Sequence, residues 1–175
     1  MIEKIKASRS EKIIFAFIII LAIFSFGSFF LIKNKCLFIK NFDPQKIAFE
    51  DPANIAILNV ECGNVIIELY PDISPNAVKR FKELVKSKAY DDIAFHRVIK
   101  DTLVQAGDLE FGKKGSLDYG KIGTGKSGLG TIKSEIDKPF KFNKGSVALA
   151  RTQKYNTEDS HCLLYTSDAA DEVAG

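Results

Sequence analysis

FHRVIKDTLVQAGD, from Phe95 to Asp108, is the stretch on which the reading of this chain turns. Two short runs rich in β-branched and aromatic residues, Phe95 to Ile99 and Leu103 to Gln105, flank Lys100-Asp101-Thr102 and read as strands. Glycine-rich turns fill Gly107 to Gly130 downstream, and GSVALA, Gly145 to Ala150, reads as a buried strand. Upstream, Asn54–Val60 (NIAILNV) and Asn64–Tyr70 (NVIIELY) are joined by Glu61-Cys62-Gly63, a hairpin signal with Gly63 in the turn. A helix then follows, with Ser74 as N-cap, Pro75 at the first helical position, and Val78, Phe81, Leu84 and Val85 along one face. Several short strands with one early helix predict a mainly β protein, a barrel rather than an α/β layer.

The N-terminus obeys different physics. Ile13 to Ile32 reads IIFAFIIILAIFSFGSFFLI without a charge, and 20 apolar residues are what a helix needs to cross about 30 Å of hydrocarbon. Lys4, Lys6, Arg9 and Lys12 precede it; Lys33 and Lys35 close it. The run is too long for a secretory signal, no small-residue cleavage site follows, and Lys35 before Cys36 argues against a lipoprotein. An uncleaved signal anchor is expected, single-pass, with the domain on the extracytoplasmic side. The expected organisation is a basic flank over 1–12, the anchor over 13–32, a linker over 33–53 with Pro44 and Pro52 as breakers, and a domain over 54–161.

Composition removes several classes of function. A net charge of +3 with scattered lysines offers no basic stripe, so no nucleic-acid partner is expected. The three cysteines form no CxxC and no Cys/His cluster, so neither a metal site nor a disulfide framework is indicated. Gly120 to Ser127 (GKIGTGKS) satisfies G-x-x-x-x-G-K-[ST], but no buried strand precedes it and Gly128 and Gly130 oppose a following helix. No nucleotide is expected there.

Phe95–Asp108 resembles the signature of the cyclophilin family, in which F-H-R-[VI]-I is followed by a hydrophobic pair and Q-G-G-D. The surrounding pieces keep the family's order: an opening hairpin, a helix of the P-x-A/T-V-x-x-F type at Pro75–Phe81, Tyr90-Asp91, the loop Gly123–Gly130, Glu135, and G-S-V-A-L-A-R before Asn156-Thr157. The resemblance implies a closed antiparallel eight-stranded barrel with capping helices. It also implies peptidyl-prolyl cis/trans isomerase activity on proline-containing polypeptides, with no cofactor. Arg97 aligns with the family's catalytic arginine and Gln105 with the glutamine that positions it. Leu103 matches an apolar residue of the proline pocket, and Ala150 and Arg151 the strand that pairs with substrate. His96 is expected to be packed and hydrogen-bonded rather than catalytic.

Departures from the pattern are specific. Thr102 stands where the family has a pocket Phe, Ala106 replaces the first Gly of Q-G-G-D, and Leu109 follows Asp108 where Pro is common. Thr102 leaves open a different class of function, a module that grips proline segments with little turnover. After Ser160 the family continues with Gln and bulky apolar residues, whereas this chain gives His161 and then CLLYTSDAADE, which resembles a translated sequencing adapter. Residues 162–175 are expected to be foreign to the gene and the domain incomplete.

Overall fold

The computed structural model describes residues 8–34, 36–37, 39–136 and 141–167, so parts of the basic flank and of the segment beyond Cys162 lie outside the described residues. Helix α1 is Arg9–Lys33, longer than the uncharged run at both ends. Ser8 caps it reciprocally: Glu11 N–H donates to Ser8 Oγ at 3.2 Å, and Ser8 N–H to Glu11 Oε2 at 2.6 Å. No described residue of α1 is buried, and the helix is long and apolar enough to cross a membrane.

The chain forms two compact units, Met1–Glu50 with Ile57–Ile66, and Asp51–Ala56 with Ile67–Gly175. In the first, the linker folds back on the turn of the hairpin formed by β1 (Ile55–Val60) and β2 (Gly63–Glu68). Asn64 N–H donates to Asn41 Oδ1 at 3.2 Å, and a Cβ on Gly63 would lie only 2.9 Å from that oxygen. Cys36 and Cys62 form a disulfide with Cα atoms 4.9 Å apart. This corrects the reading of the cysteines. The two come from separate segments, so no local spacing motif announces them; the fold of the linker brings them together.

In the second unit, helix α2 (Pro75–Lys86) buries Val78, Arg80 and Leu84 and sets Phe81 against Tyr90, ring centroids 5.5 Å apart. Val85, expected on the packed face, is exposed. Ser74 occupies the N-cap position but its side chain does not cap. Glu135 does this instead, its carboxylate accepting from Asn76 N–H at 2.8 Å and Ala77 N–H at 3.0 Å. Arg80 is buried because it has an anion to meet: Nη1 lies 2.6 Å from Asp159 Oδ1 and also donates to the Gly130 carbonyl at 2.7 Å.

The remaining strands are β3 (Arg97–Ile99), β4 (Leu103–Ala106), β5 (Val147–Leu149) and β6 (Cys162–Tyr165), ordered β3-β4-β6-β5 and antiparallel throughout. Cys162–Tyr165, set apart in the sequence as foreign, is thus an interior strand. CLLY is apolar at successive positions and can present a side chain to either face of the sheet. Tyr165 is buried and stacks on Phe142 with centroids 5.0 Å apart. The described strands number six, in sheets of two and four.

Candidate functional site

The β3–β4 register places Arg97 opposite Gln105 and Ile99 opposite Leu103, while β4–β6 places Leu103 opposite Tyr165 and Gln105 opposite Leu163. Side chains alternate along a strand, so Arg97, Leu103, Gln105 and Leu163 share one face. Arg97 is exposed, and its Nη1 lies 3.4 Å from Gln105 Oε1.

The other end of the Gln105 amide, Nε2, lies 3.4 Å from His161 Nδ1, and His161 Nε2 lies 3.0 Å from the Gly125 carbonyl oxygen. A carbonyl can only accept, so Nε2 of His161 carries the proton and Nδ1 is left to accept from the amide. Gln105 must then offer its oxygen to Arg97, a donor-only group. The directions of all three contacts follow from the Gly125 carbonyl at one end and the guanidinium at the other.

Gly125 is itself fixed. Asp108 has no exposed surface, and its carboxylate accepts from the N–H groups of Glu110 (3.1 Å), Phe111 (2.7 Å), Gly123 (2.6 Å) and Gly125 (3.0 Å). Burial pushes the carboxyl upward in pKa, but the four donors outweigh it and hold the group below its ordinary value. A Cβ at Gly125 would collide with this carboxylate, 2.0 Å from Oδ1. The nucleotide-like string Gly120–Ser127 therefore does cradle anions, and both belong to the protein. Gly123 and Gly125 bind Asp108; Ser127 binds Asp159 through its N–H (2.8 Å) and its hydroxyl.

His96 packs edge-on against His161, ring centroids 5.2 Å apart, yet neither of its ring nitrogens has a hydrogen-bond partner among the described residues. The expectation of a packed histidine holds; as to a hydrogen bond, the one group near the ring among the described residues that could take part is the Ala94 backbone, in a geometry too poor for a regular bond. Burial first, then the neighbouring His161, lowers the pKa of His96, with the Asp108 carboxylate pulling the other way. The lowered pKa favours the neutral ring.

The other expected site residues are placed less centrally. Thr102 ends the β3–β4 turn, its hydroxyl donating to the Lys100 carbonyl at 3.3 Å and its own carbonyl accepting from Thr166 N–H at 2.8 Å. Ala150 extends β5 through its N–H to the His161 carbonyl, 2.7 Å. Arg151 turns into its own loop, its guanidinium 5.0 Å from the Tyr155 ring centroid and donating to the carbonyls of Thr152 (3.1 Å) and Gln153 (3.3 Å). Sequence reasoning missed His161 as a partner of Gln105. The available signal was its position directly after Asp159-Ser160, where the family has a side-chain amide. No group of three or more His, Cys, Asp or Glu among the described residues is arranged to hold a metal ion.

Residues 55–172 match the family model described as cyclophilin type peptidyl-prolyl cis-trans isomerase/CLD. A probable peptidyl-prolyl cis-trans isomerase of Brucella suis is 38% identical over 126 residues, 71% of this chain and 63% of that protein. Peptidyl-prolyl cis-trans isomerase cypE of Dictyostelium discoideum is 45% identical over 108 residues, 61% of this chain and 64% of that protein. The chain thus spans just under two thirds of the length of these relatives. A cyclophilin-type isomerase of Cryptosporidium parvum, solved in the presence of the dipeptide ala-pro, superposes with a TM-score of 0.52 at 26% identity, over 62% of this chain and 65% of that one. A Hirschia baltica cyclophilin gives a TM-score of 0.55 at 20% identity over 69% and 60%, a likeness of fold alone. With its family model covering the sheet, the Arg97–Gln105 pair and the glycine-rich loop, the chain belongs to the cyclophilin-type peptidyl-prolyl cis-trans isomerase family.

Proposed function

We propose that the domain accelerates cis/trans isomerisation of X–Pro bonds in exported or membrane-proximal polypeptides, held to the membrane by α1 on the extracytoplasmic side. The observation that carries this is the Arg97–Gln105 pair, with Arg97 exposed and Gln105 half-buried beside it. Rotation about the prolyl C–N bond meets a barrier of about 18–20 kcal/mol from amide resonance. At the twisted geometry the nitrogen is pyramidal and basic, so a donor aimed at it binds the transition state better than either ground state. The Arg97 guanidinium is always charged and presents rigid donors, and the Gln105 oxygen orients it. Leu103 would line the proline pocket beside Thr102, and the backbone at Ala150 and Arg151 would pair with the peptide. Such a reaction needs no metal and no cofactor. The solved relative with ala-pro supports a proline-peptide substrate.

The placement outside the cytoplasm is supported by two features. α1 is of spanning length, and a Cys36–Cys62 disulfide persists in oxidising compartments. The architecture in this reading is the closed eight-stranded barrel, of which the antiparallel β3-β4-β6-β5 sheet is a part. The foreign origin of residues 162–175 also belongs to it, supported by the adapter-like string; the family match running to residue 172 counts against it. Sequencing the gene past Ser160 decides that point.

Two experiments test the main reading. Exchange NMR on a proline-containing peptide should show interconversion above background with the full chain in micelles. A reporter active only outside the cytoplasm, fused after Gln153, should be active; silence there, with activity from a cytoplasmic reporter, sinks the orientation. A second reading, a binding module with little turnover, is favoured by Thr102, whose hydroxyl is spent on its own turn where the family has a pocket aromatic.

A further inference from the structure

The hairpin turn carries a feature that isomerase chemistry does not use. Lys33 ends α1, and Cys36 lies three residues beyond it. Three residues reach at most about 10 Å when fully extended. Here the chain is more compact than that, because it turns where Leu37 N–H donates to the Asn34 carbonyl at 3.0 Å. Cys62 is then tied to Cys36 with Cα atoms 4.9 Å apart. Without the disulfide, the first strand would hang from α1 on a linker of about 20 residues, with a reach of roughly 70 Å. The disulfide removes nearly all of that freedom for the turn.

Apolar side chains stand exposed at this tethered place. Leu37 is 56% exposed, Ile39 52% and Val60 37%, and Ile39 and Val60 line one open groove together with both cysteines and the polar Asn41, Asn59, Glu61 and Asn64. Lys33 and Lys40 flank the surface and Glu61 sits at the turn. Apolar residues mixed with lysines, covalently held within a few residues of a spanning helix, fit the boundary between headgroups and acyl chains better than bulk water.

We propose that the disulfide-clamped tip of the β1–β2 hairpin is a membrane-contact surface, in which Leu37, Ile39 and Val60 dock on the lipid interface next to the end of α1. The proposal rests on the reading of α1 as a membrane anchor. Its occupant is the bilayer itself, since Cys36, and through it Cys62, is held within three residues of the end of a helix of spanning length. The Cys36–Cys62 bond holds Val60 there.

The chain contains no tryptophan, so one introduced Trp reports alone. The full chain would be reconstituted in phosphatidylcholine vesicles containing phosphatidylglycerol, with and without brominated acyl chains. Phe24→Trp, in the middle of α1, reports the anchor. Val60→Trp and, separately, Leu37→Trp report the tip, and Tyr119→Trp, at a position 85% exposed, is the control. The expected result is bromine quenching at positions 24, 37 and 60 but not at 119. In the Cys36→Ser/Cys62→Ser background, quenching at 60 should be lost while that at 24 remains. Quenching at 24 with none at 37 or 60 overturns the membrane-contact surface and leaves the anchor standing. Equal quenching at 60 with and without the disulfide overturns the clamp. Absence of quenching at 24 overturns the anchor, and this proposal with it.

Discussion

Gln105 offers its amide oxygen to Arg97 at 3.4 Å and its amide nitrogen to His161 at 3.4 Å, so the histidine decides which end of the glutamine the arginine meets. Reversal of the amide would put NH2 against guanidinium, two donors with nothing between them. Protonation of His161 would favour that reversal, since both ring nitrogens would then donate. His161→Leu should therefore lower turnover by roughly 2–10-fold, the worth of one ordinary hydrogen bond of about 0.5–1.5 kcal/mol. His161→Gln, which can still accept from Gln105, should retain most of it. The check is kcat and KM on both variants together with the ring tautomer of His161 by long-range proton–nitrogen NMR. Equal losses in the two variants, or a ring protonated at Nδ1, would remove the relay.

Asp108 predicts an acid-sensitive fold. Its folded pKa lies below the ordinary 3.8, so its contribution is fully present above that value and is lost as pH falls through the folded one. Asp108→Asn should flatten this acid limb and destabilise the protein at neutral pH as well. The amide supplies one oxygen where two now serve four N–H donors, and each buried donor left without an acceptor costs about 1–3 kcal/mol. Denaturant unfolding of the full chain in micelles from acid to neutral pH gives both numbers. An unchanged acid limb in the variant would mean that another carboxylate controls it.

Much of this molecule is legible in its sequence because local signals and tertiary structure agree. Pro75 starts α2, the Phe95–Ile99 and Leu103–Gln105 runs become β3 and β4, and their register brings Arg97 to Gln105. What could not be read are contacts between distant segments. Glu135 caps α2 across a separation of 59 residues, so Ser74 looked sufficient. Arg80 is polar in any helical pattern, and its burial is compensated by Asp159, 79 residues away, and by the Gly130 carbonyl, 50 residues away. The anions that the Gly120–Ser127 string meets, Asp108 and Asp159, are invisible to a local motif. Cys36 and Cys62 failed for the same reason.

The place of β6 gives a direct test of how much Cys162–Tyr165 matters, whatever its origin. It lies between β4 and β5, and β5 has no other strand partner among the described residues. A chain stopping at His161 should leave the edges of β4 and β5 open, unfold without a single cooperative transition, and associate through those edges. Thermal unfolding and sedimentation of the two lengths in the same detergent would measure this. A shortened chain that still melts cooperatively as a monomer would show that β6 only fills a gap.

Arg97→Ala separates the two leading functions. If the guanidinium stabilises the twisted prolyl amide, its best acceptor exists only at the transition state, and the variant should lose turnover far more than peptide binding. Removing a donor of this kind costs about 2.7–4 kcal/mol in acyl-transfer sites, a rate loss of roughly 10²–10³, and a similar loss is expected here. Arg97→Lys should recover only part, because an ammonium cannot keep both the Gln105 oxygen and the prolyl nitrogen in the plane of one rigid fork. Thr102→Phe should act on the other quantity. It returns an aromatic to the turn beside Leu103, adding apolar contact worth up to about 1–3 kcal/mol of affinity with little effect on the arginine. Exchange NMR for turnover and titration for binding, run on the same four proteins, distinguish the outcomes. A domain that binds the peptide without exchange above background, with Arg97→Ala indistinguishable from the parent, would be a binding module, and the Arg97–Gln105 pair would then serve to hold the peptide rather than to twist it.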